Sequence, residues 1–274
     1  MEEMRPASGS GELHIGWVRG SSAVLRSRAR SPMCLLTPQP RGSSVWACTS
    51  SLGGGMVAGD EISLAIEIDA GARCYLGTQS STKIYRNPLK RRCHHSLQAR
   101  LAADSLLVLA PDPVQCFADS SYQQEQAFHL ASGANLVLLD WFSAGRLARG
   151  ERWQFERYAS RNEIRRDGEI AFLDALELDA KAAASKFRSG RFNCLATLVF
   201  SGPMLQSAAN ESLALVQAQP VRAGASLVIS ASPLRDGAII RIAAASVAEA
   251  AAALSSHLSA ISPLLQDNPW ARKW

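Results

Sequence analysis

No apolar run in this 274-residue chain reaches the roughly 18 to 20 residues that a membrane-spanning helix needs. The longest greasy stretch, Ala243 to Leu254, is mostly alanine, and a transmembrane protein is excluded. There is no CxxC; Cys34, Cys48, Cys74, Cys93, Cys116 and Cys194 lie far apart, which argues against a zinc knuckle and for small buried hydrophobes. No Walker lysine follows a glycine-rich loop, so ATP or GTP is not held through a P-loop. Charged residues are scarce at 19% against 47% hydrophobic, a balance that fills a core and excludes a disordered chain. The 29 Lys and Arg against 24 Asp and Glu leave a formal charge of +5. Its clusters, Arg26, Arg28, Arg30 and Lys90, Arg91, Arg92, carry no interleaved aromatics and read as solvated faces, not as a nucleic-acid surface. Met1 to Gly11 has two Glu beside one Arg and does not read as a secretory signal, so cytoplasmic residence is expected.

What the chain does have is period-2 alternation. In Glu61 to Asp69, Ile62, Leu64, Ile66 and Ile68 fall on one side and Glu61, Ser63, Glu67 and Asp69 on the other, which predicts a half-buried strand. Similar strands are predicted over Glu12 to Val18, Ala23 to Arg30, Ser44 to Thr49, Ala72 to Gln79, His94 to Leu101, Ser105 to Leu109, Tyr122 to Leu130, Asn135 to Trp141 and Glu151 to Ser160. Many short strands punctuated by Gly, Pro and Asp argue a mainly β body instead of alternating βαβ units. In the last third, Cys194 to Phe200 continues as strand and a hairpin turns at Arg235-Asp236-Gly237. Pro203 to Gln217 fits a helix, with proline tolerated in its first turn. Ser246-Val247-Ala248-Glu249 is a capping box opening a second helix, whose apolar stripe is Val247, Leu254, Leu258 and Ile261. No repeat or linker divides the chain, so one domain over 1–274 is expected, with 1–11 a flexible N-terminus and 268–274 a tail.

Chemistry is sparsely written. Gly53, Gly55 and Ala58 match a dinucleotide fingerprint literally, but a strand begins at Glu61 where that fingerprint needs a helix. The segment reads instead as a turn in which Asp60 accepts amide hydrogens. Thr78-Gln79-Ser80-Ser81-Thr82-Lys83-Ile84-Tyr85-Arg86 is a polar strand exit able to bind an anion or line a polar passage; on residue content alone a solvated loop explains it. Asp112, Asp119, Asp140 and Glu151 are the suggestive carboxylates, Asp140 because it follows the apolar run Leu136 to Leu139. An acid there needs a partner, and Arg146 or Arg149 supplies one in a structural salt bridge. His94, His95 and His129 are candidate imidazoles, with His14 and His257 isolated. His94 and His95 are adjacent and point to opposite faces of a strand, so they do not converge on one ion and no permanent metal site is predicted.

The ordered set says more than any member. GGGMVAGD at Gly53 to Asp60, TQSSTKIYR at Thr78 to Arg86, APDPVQCFADSSYQQ at Ala110 to Gln124 and LLDWFSAGRLARGERWQFERY at Leu138 to Tyr158 together resemble the urease accessory protein UreD family, called UreH in some lineages. The resemblance is weaker before Gly53 and after Asp179, although the Arg272-Lys273-Trp274 ending fits. Met56 and Ala58 stand where the family more often has Leu and Gly, and Ser80 and Ser81 where small residues including Ala are usual.

The resemblance implies a mainly β, stacked-strand, β-helix-like body with two α-helices in the C-terminal third. It also implies a non-enzymatic factor for nickel insertion that binds UreF and apo-urease and works with the GTPase UreG through UreF. Permanently bound cofactors are not expected; Ni²⁺ contact would be transient and GTP would belong to the partner. Asp60, Thr78, Asp140 and Glu151 become candidate inward-facing positions of a metal passage, with Arg146 an orienting partner. Oxygen ligands of modest affinity suit conduction. Two other classes compete: a β-rich carbohydrate-active hydrolase using a carboxylate pair among Asp112, Asp119, Asp140 and Glu151, and an interaction module without metal contact.

Overall fold

The computed structural model describes residues 8–179 and 190–272. Alternation becomes strand as predicted: in Glu61–Ile68 the four aliphatic side chains are buried and the residues between them exposed. In chain order the described strands are β1 (Ser8–Val18), β2 (Ser21–Arg30), β3 (Met33–Leu36), β4 (Val45–Ser51), β5 (Gly55–Met56), β6 (Glu61–Ile68), β7 (Arg73–Thr78), β8 (Lys83–Ile84) and β9 (Cys93–Leu101). They continue as β10 (Leu106–Leu109), β11 (Val114–Cys116), β12 (Ser121–Leu130), β13 (Asn135–Ser143), β14 (Arg157–Arg166), β15 (Glu169–Asp179), β16 (Cys194–Ser201), β17 (Leu227–Leu234) and β18 (Gly237–Ala244).

These strands form two facing sheets. The first runs β15-β14-β12-β9-β6-β1-β2 and the second β17-β18-β16-β13-β10-β7-β4-β3. The chain winds between them, β4 to β5 to β6, then β7 to β8 to β9, then β10 to β11 to β12, and each circuit lies parallel on the last. Antiparallel hairpins β1–β2 and β14–β15 finish the first sheet, and β16 and β18 extend the second. This is the stacked, β-helix-like body expected from the family resemblance.

Helices α1 (Gln206–Gln217) and α2 (Val247–Leu258) occupy the C-terminal third, followed by a short turn α3 (Ser262–Leu265) with Pro263 in its first positions. Ser246 caps α2 by accepting from the Glu249 amide at 3.1 Å, as predicted, but the Glu249 carboxylate accepts from the hydroxyls of Ser246 and Ser226 and not from the backbone amide expected of a full capping box. The helices cover the outer face of the second sheet, so that sheet is buried on both sides. Tyr75, Val108, Leu139, Leu198 and Ile240 face the helices, whereas Leu76, Leu109, Leu138 and Val199 face the first sheet. Among the described residues no helix is long and apolar enough to cross a membrane.

Several expectations are corrected. The strand predicted over 151–160 begins at Arg157, because Trp153 takes a left-handed backbone (φ 55°) and donates its amide to the Ala144 carbonyl at 2.7 Å. The apparent alternation of 151–156 reflects a loop that tucks Trp153 and Phe155 against Phe142 and Tyr158. The helix predicted from Pro203 starts as a 3₁₀ turn over Pro203–Leu205. Ser8 to Gly11 belong to β1, while 1–7 of the expected flexible terminus lie outside the described residues. In the expected tail, Pro269–Arg272 forms a 3₁₀ turn that seats Trp270 edge-on against Tyr75, and 273–274 lie outside the described residues.

Candidate functional site

Stacking in register turns each inward position into a row across the sheet. On the first sheet one row reads Ile62, His95, Gln124, Ser160 and the next Leu64, Leu97, Gln126, Asn162. Both begin aliphatic on β6 and become polar by β12 and β14. A core of this depth tolerates amides and hydroxyls only when they are hydrogen-bonded, and their bonds converge across the gap on Asp140 of β13. Ser160 Oγ donates to Asp140 Oδ2 at 2.6 Å, Asn162 Nδ2 to the same oxygen at 2.7 Å, and Gln124 Nε2 to Oδ1 at 3.1 Å. Tyr122 holds Gln124 in turn, its hydroxyl donating to Oε1 at 3.1 Å.

This knot walls one end of an internal cavity of about 100 Å³, room for several waters. His95, Gln124 and Gln126 line it from the first sheet, Thr78 and Asp140 from the second, and Asp112 from the loop between β10 and β11. Thr49, Ser50, Ser51, Ser80, Ser81 and Thr82 supply hydroxyls toward the strand ends. Thr78 Oγ1 donates to Asp112 Oδ2 at 2.8 Å and accepts from the Asp112 amide at 2.7 Å. Two amide oxygens, Gln126 Oε1 and Asn162 Oδ1, are buried without a hydrogen-bond partner. Burial raises the Asp140 carboxyl above its ordinary range against the pull of Ser160, Asn162 and Gln124, and the Asp174 charge adds to the rise. Burial also holds the His95 imidazole down at about 4, opposed by Gln124 and aided by the neighbouring His94, so it is neutral near pH 7. The cavity therefore offers one neutral imidazole, carboxyl groups and neutral oxygens.

Of the predicted site residues, Thr78 and Asp140 share this cavity; Asp60 and Glu151 do not line it. Asp60 closes its own turn, Oδ2 accepting from the Val57 amide at 2.9 Å, and its charge adds to the burial that pushes the Cys93 thiol up to about 12. Gly59 turns the chain there at φ 88°, and a Cβ on the preceding Gly55 would sit 2.4 Å from the Lys83 carbonyl oxygen, so glycine lets β5 lie against β8. Glu151 is gripped by Arg146 through both carboxylate oxygens, with Nε to Oε2 at 2.8 Å, and also accepts from the Ala118 amide at 3.2 Å and Arg86 at 3.4 Å. Arg146 stacks 3.9 Å over Phe117. Its hydrogen bonds to Glu151 hold that carboxyl at about 2, ionised at neutral pH and with no proton to give as a general acid.

His94 and His95 do diverge: His95 lines the cavity while His94 stands 3.9 Å from the Glu125 carboxylate on the other face. His14 pairs with Asp69 at 2.9 Å, and buried His257 contacts Ser212 at 3.0 Å. Among the described residues no three His, Cys, Asp or Glu side chains converge as a metal cluster. Sequence reasoning named His95 only as a candidate imidazole, outside the passage positions, and missed Gln124, Gln126, Ser160 and Asn162. The available signal was β12 itself, Tyr122-Gln123-Gln124-Glu125-Gln126, too polar on both faces for a strand whose neighbours are aliphatic inside.

Fold and cavity together define a β-solenoid-like protein with a polar chamber inside its coil. The family model for the UreD urease accessory protein matches residues 7–274. Urease accessory protein UreD of Sorangium cellulosum (strain So ce56) is 47% identical over 278 residues, covering 97% of this chain and 85% of its own. The protein of the same name from Anaeromyxobacter sp. (strain Fw109-5) is 42% identical, with 97% and 89% covered, and urease accessory protein D of Oryza sativa subsp. japonica is 36% identical, with 74% and 68% covered. The chain belongs to the UreD urease accessory protein family, and so has an accessory role in urease maturation.

Proposed function

We propose that this chain is a scaffold and metal-transfer chaperone that binds UreF and apo-urease, works with the GTPase UreG, and passes Ni²⁺ through its polar interior. The reading rests above all on Asp140: a carboxyl sunk between two sheets and held by three neutral donors, at the wall of a cavity that His95, Thr78 and Asp112 also line. Neutral imidazole and oxygen ligands suit a borderline divalent cation, and among the described residues no group of three is poised to trap it, which favours release over storage. GTP hydrolysis falls to the partner, in keeping with a sequence that has no Walker lysine.

The test is activation of apo-urease by nickel and GTP with UreF, UreG and this chain co-purified. Asp140→Asn, nearly isosteric and retaining the strand packing, is expected to slow activation several-fold while the complex still assembles. Normal activation by a folded Asp140→Asn complex would remove metal passage from the reading and leave the scaffold.

A further inference from the structure

The cavity stops at Asp140, but the row of polar positions does not. Across the inner face of the second sheet the register runs Asp140, Thr197, Arg241. Across the first sheet it runs Gln126, Asn162, Asp174. In-register neighbours on adjacent strands lie roughly 5 Å apart, so both rows step toward β15 and β18 at the late end of the coil. Exposure rises along the way: Asn162 is 2% exposed, while the side chains of Asp174 and Arg241 are 22% and 52% exposed.

At that end the two rows meet. Arg241 Nη2 donates to Asp174 Oδ1 at 2.9 Å and ties one sheet to the other. Asn162 connects this pair to the chamber, because its Nδ2 donates to Asp140 while its buried Oδ1 has no partner. The Asp174 charge also contributes to the raised carboxyl of Asp140, so the two acids feel one another. A guanidinium is charged at every accessible pH and a half-exposed ion pair opens readily. The arrangement is a cation parked on the last carboxylate of a polar row.

We infer that Asp174 is the exit station of the passage for a divalent cation and that Arg241 is its gate, leaving Asp174 as the metal arrives. The inference rests on the passage reading above and adds the exit and its control. The guanidinium competes with the metal for one carboxylate, so neutralising it makes the exit bind metal more tightly.

The test is calorimetric titration of Ni²⁺ into the full chain and its variants, each checked by circular dichroism. Arg241→Gln is expected to tighten Ni²⁺ binding about tenfold, Arg241→Lys to behave like the parent, and the Arg241→Gln/Asp174→Asn pair to lose the gain. Unchanged binding in a folded Arg241→Gln chain, or a gain that survives Asp174→Asn, overturns the gate. Should Arg241→Gln fail to fold, Asp174→Asn alone decides: fewer Ni²⁺ bound per chain supports the exit, and an unchanged titration rejects it. Asp140→Asn in the urease activation assay separates the two levels. Impaired activation there with an inert Arg241→Gln rejects the gate alone, whereas normal activation rejects the passage and the gate with it.

Discussion

The second sheet is dressed differently on its two sides, and β13 shows the difference residue by residue. Val137, Leu139 and Trp141 turn toward the helices and join the apolar cluster packed there. Leu136, Leu138 and Phe142 turn toward the first sheet, but so does Asp140, with Gln124, Ser160 and Asn162 reaching across to it. The helix side is an ordinary close-packed core whose worth is area removed from water. The coil side keeps the aliphatic packing at its ends and gives up its middle to groups that must be hydrogen-bonded to be there at all. A two-faced sheet thus separates holding the fold together from handling a polar cargo.

Substitutions on the two sides should therefore break different properties. Leu139→Ala empties a fully buried site on the helix side and is expected to cost about 3 kcal/mol, read as a lower urea midpoint at unchanged slope. Asp140→Asn removes a carboxyl that burial disfavours, and its stability cost should be far smaller than that of Leu139→Ala while activation suffers more. Equal losses of stability in the two variants would erase the distinction between the faces.

Arg146→Ala tests the loop that turns between the two sheets. Its partner Glu151 has a carboxyl held at about 2, chiefly by the Arg146 hydrogen bonds. A depressed carboxyl stabilises the fold above its unfolded range, near 4.5, and that contribution is lost as the pH falls toward about 2. Arg146→Ala should lower the melting temperature at pH 7, with the deficit shrinking through that window. A deficit independent of pH would mean that Arg146 matters only for its stacking on Phe117.

How far all this was legible in the sequence follows from the same contrast. Where one face of a strand is aliphatic and the other polar, as in Glu61–Ile68, alternation shows both the strand and its inner side. Where both faces are polar, as in Tyr122 to Gln126, it shows the strand but not which amides point inward, so Gln124 and Gln126 went unread. Asp140 stood out because its neighbours are apolar, and Thr78 because it sits in a family motif. Ser160 and Asn162 were lost with the misplaced start of β14: a loop that buries Trp153 and Phe155 imitates a strand when only polarity is visible. The two-residue strands β5 and β8 carry too few residues for any period to appear.

The cap of α2 offers a smaller effect on the helix side. Ser246→Ala deletes the acceptor for the Glu249 amide and should cost about 1 kcal/mol. Ser246→Asp, which preserves an acceptor, should recover most of it in the same urea titration; a variant that does not recover would assign the loss to the Ser246 neighbours instead of the cap.

The faintest expected signal comes from His95, and it is a slope more than a loss. Its folded-state value of about 4 lies below the ordinary 6.5, with burial the largest cause. Between those values the unfolded chain binds more protons than the folded one, so stability falls as the pH falls from 6.5 toward 4. The decline attributable to this one group is about 1 kcal/mol between about pH 7 and pH 5.5. His95→Gln keeps a polar side chain in the row beside Gln124 and removes the titration. Urea midpoints measured across that range should flatten in the variant relative to the parent. If the two curves stay parallel, His95 is wetter through the cavity than its neighbours imply, and the coil's polar half is a solvent-filled channel already at rest.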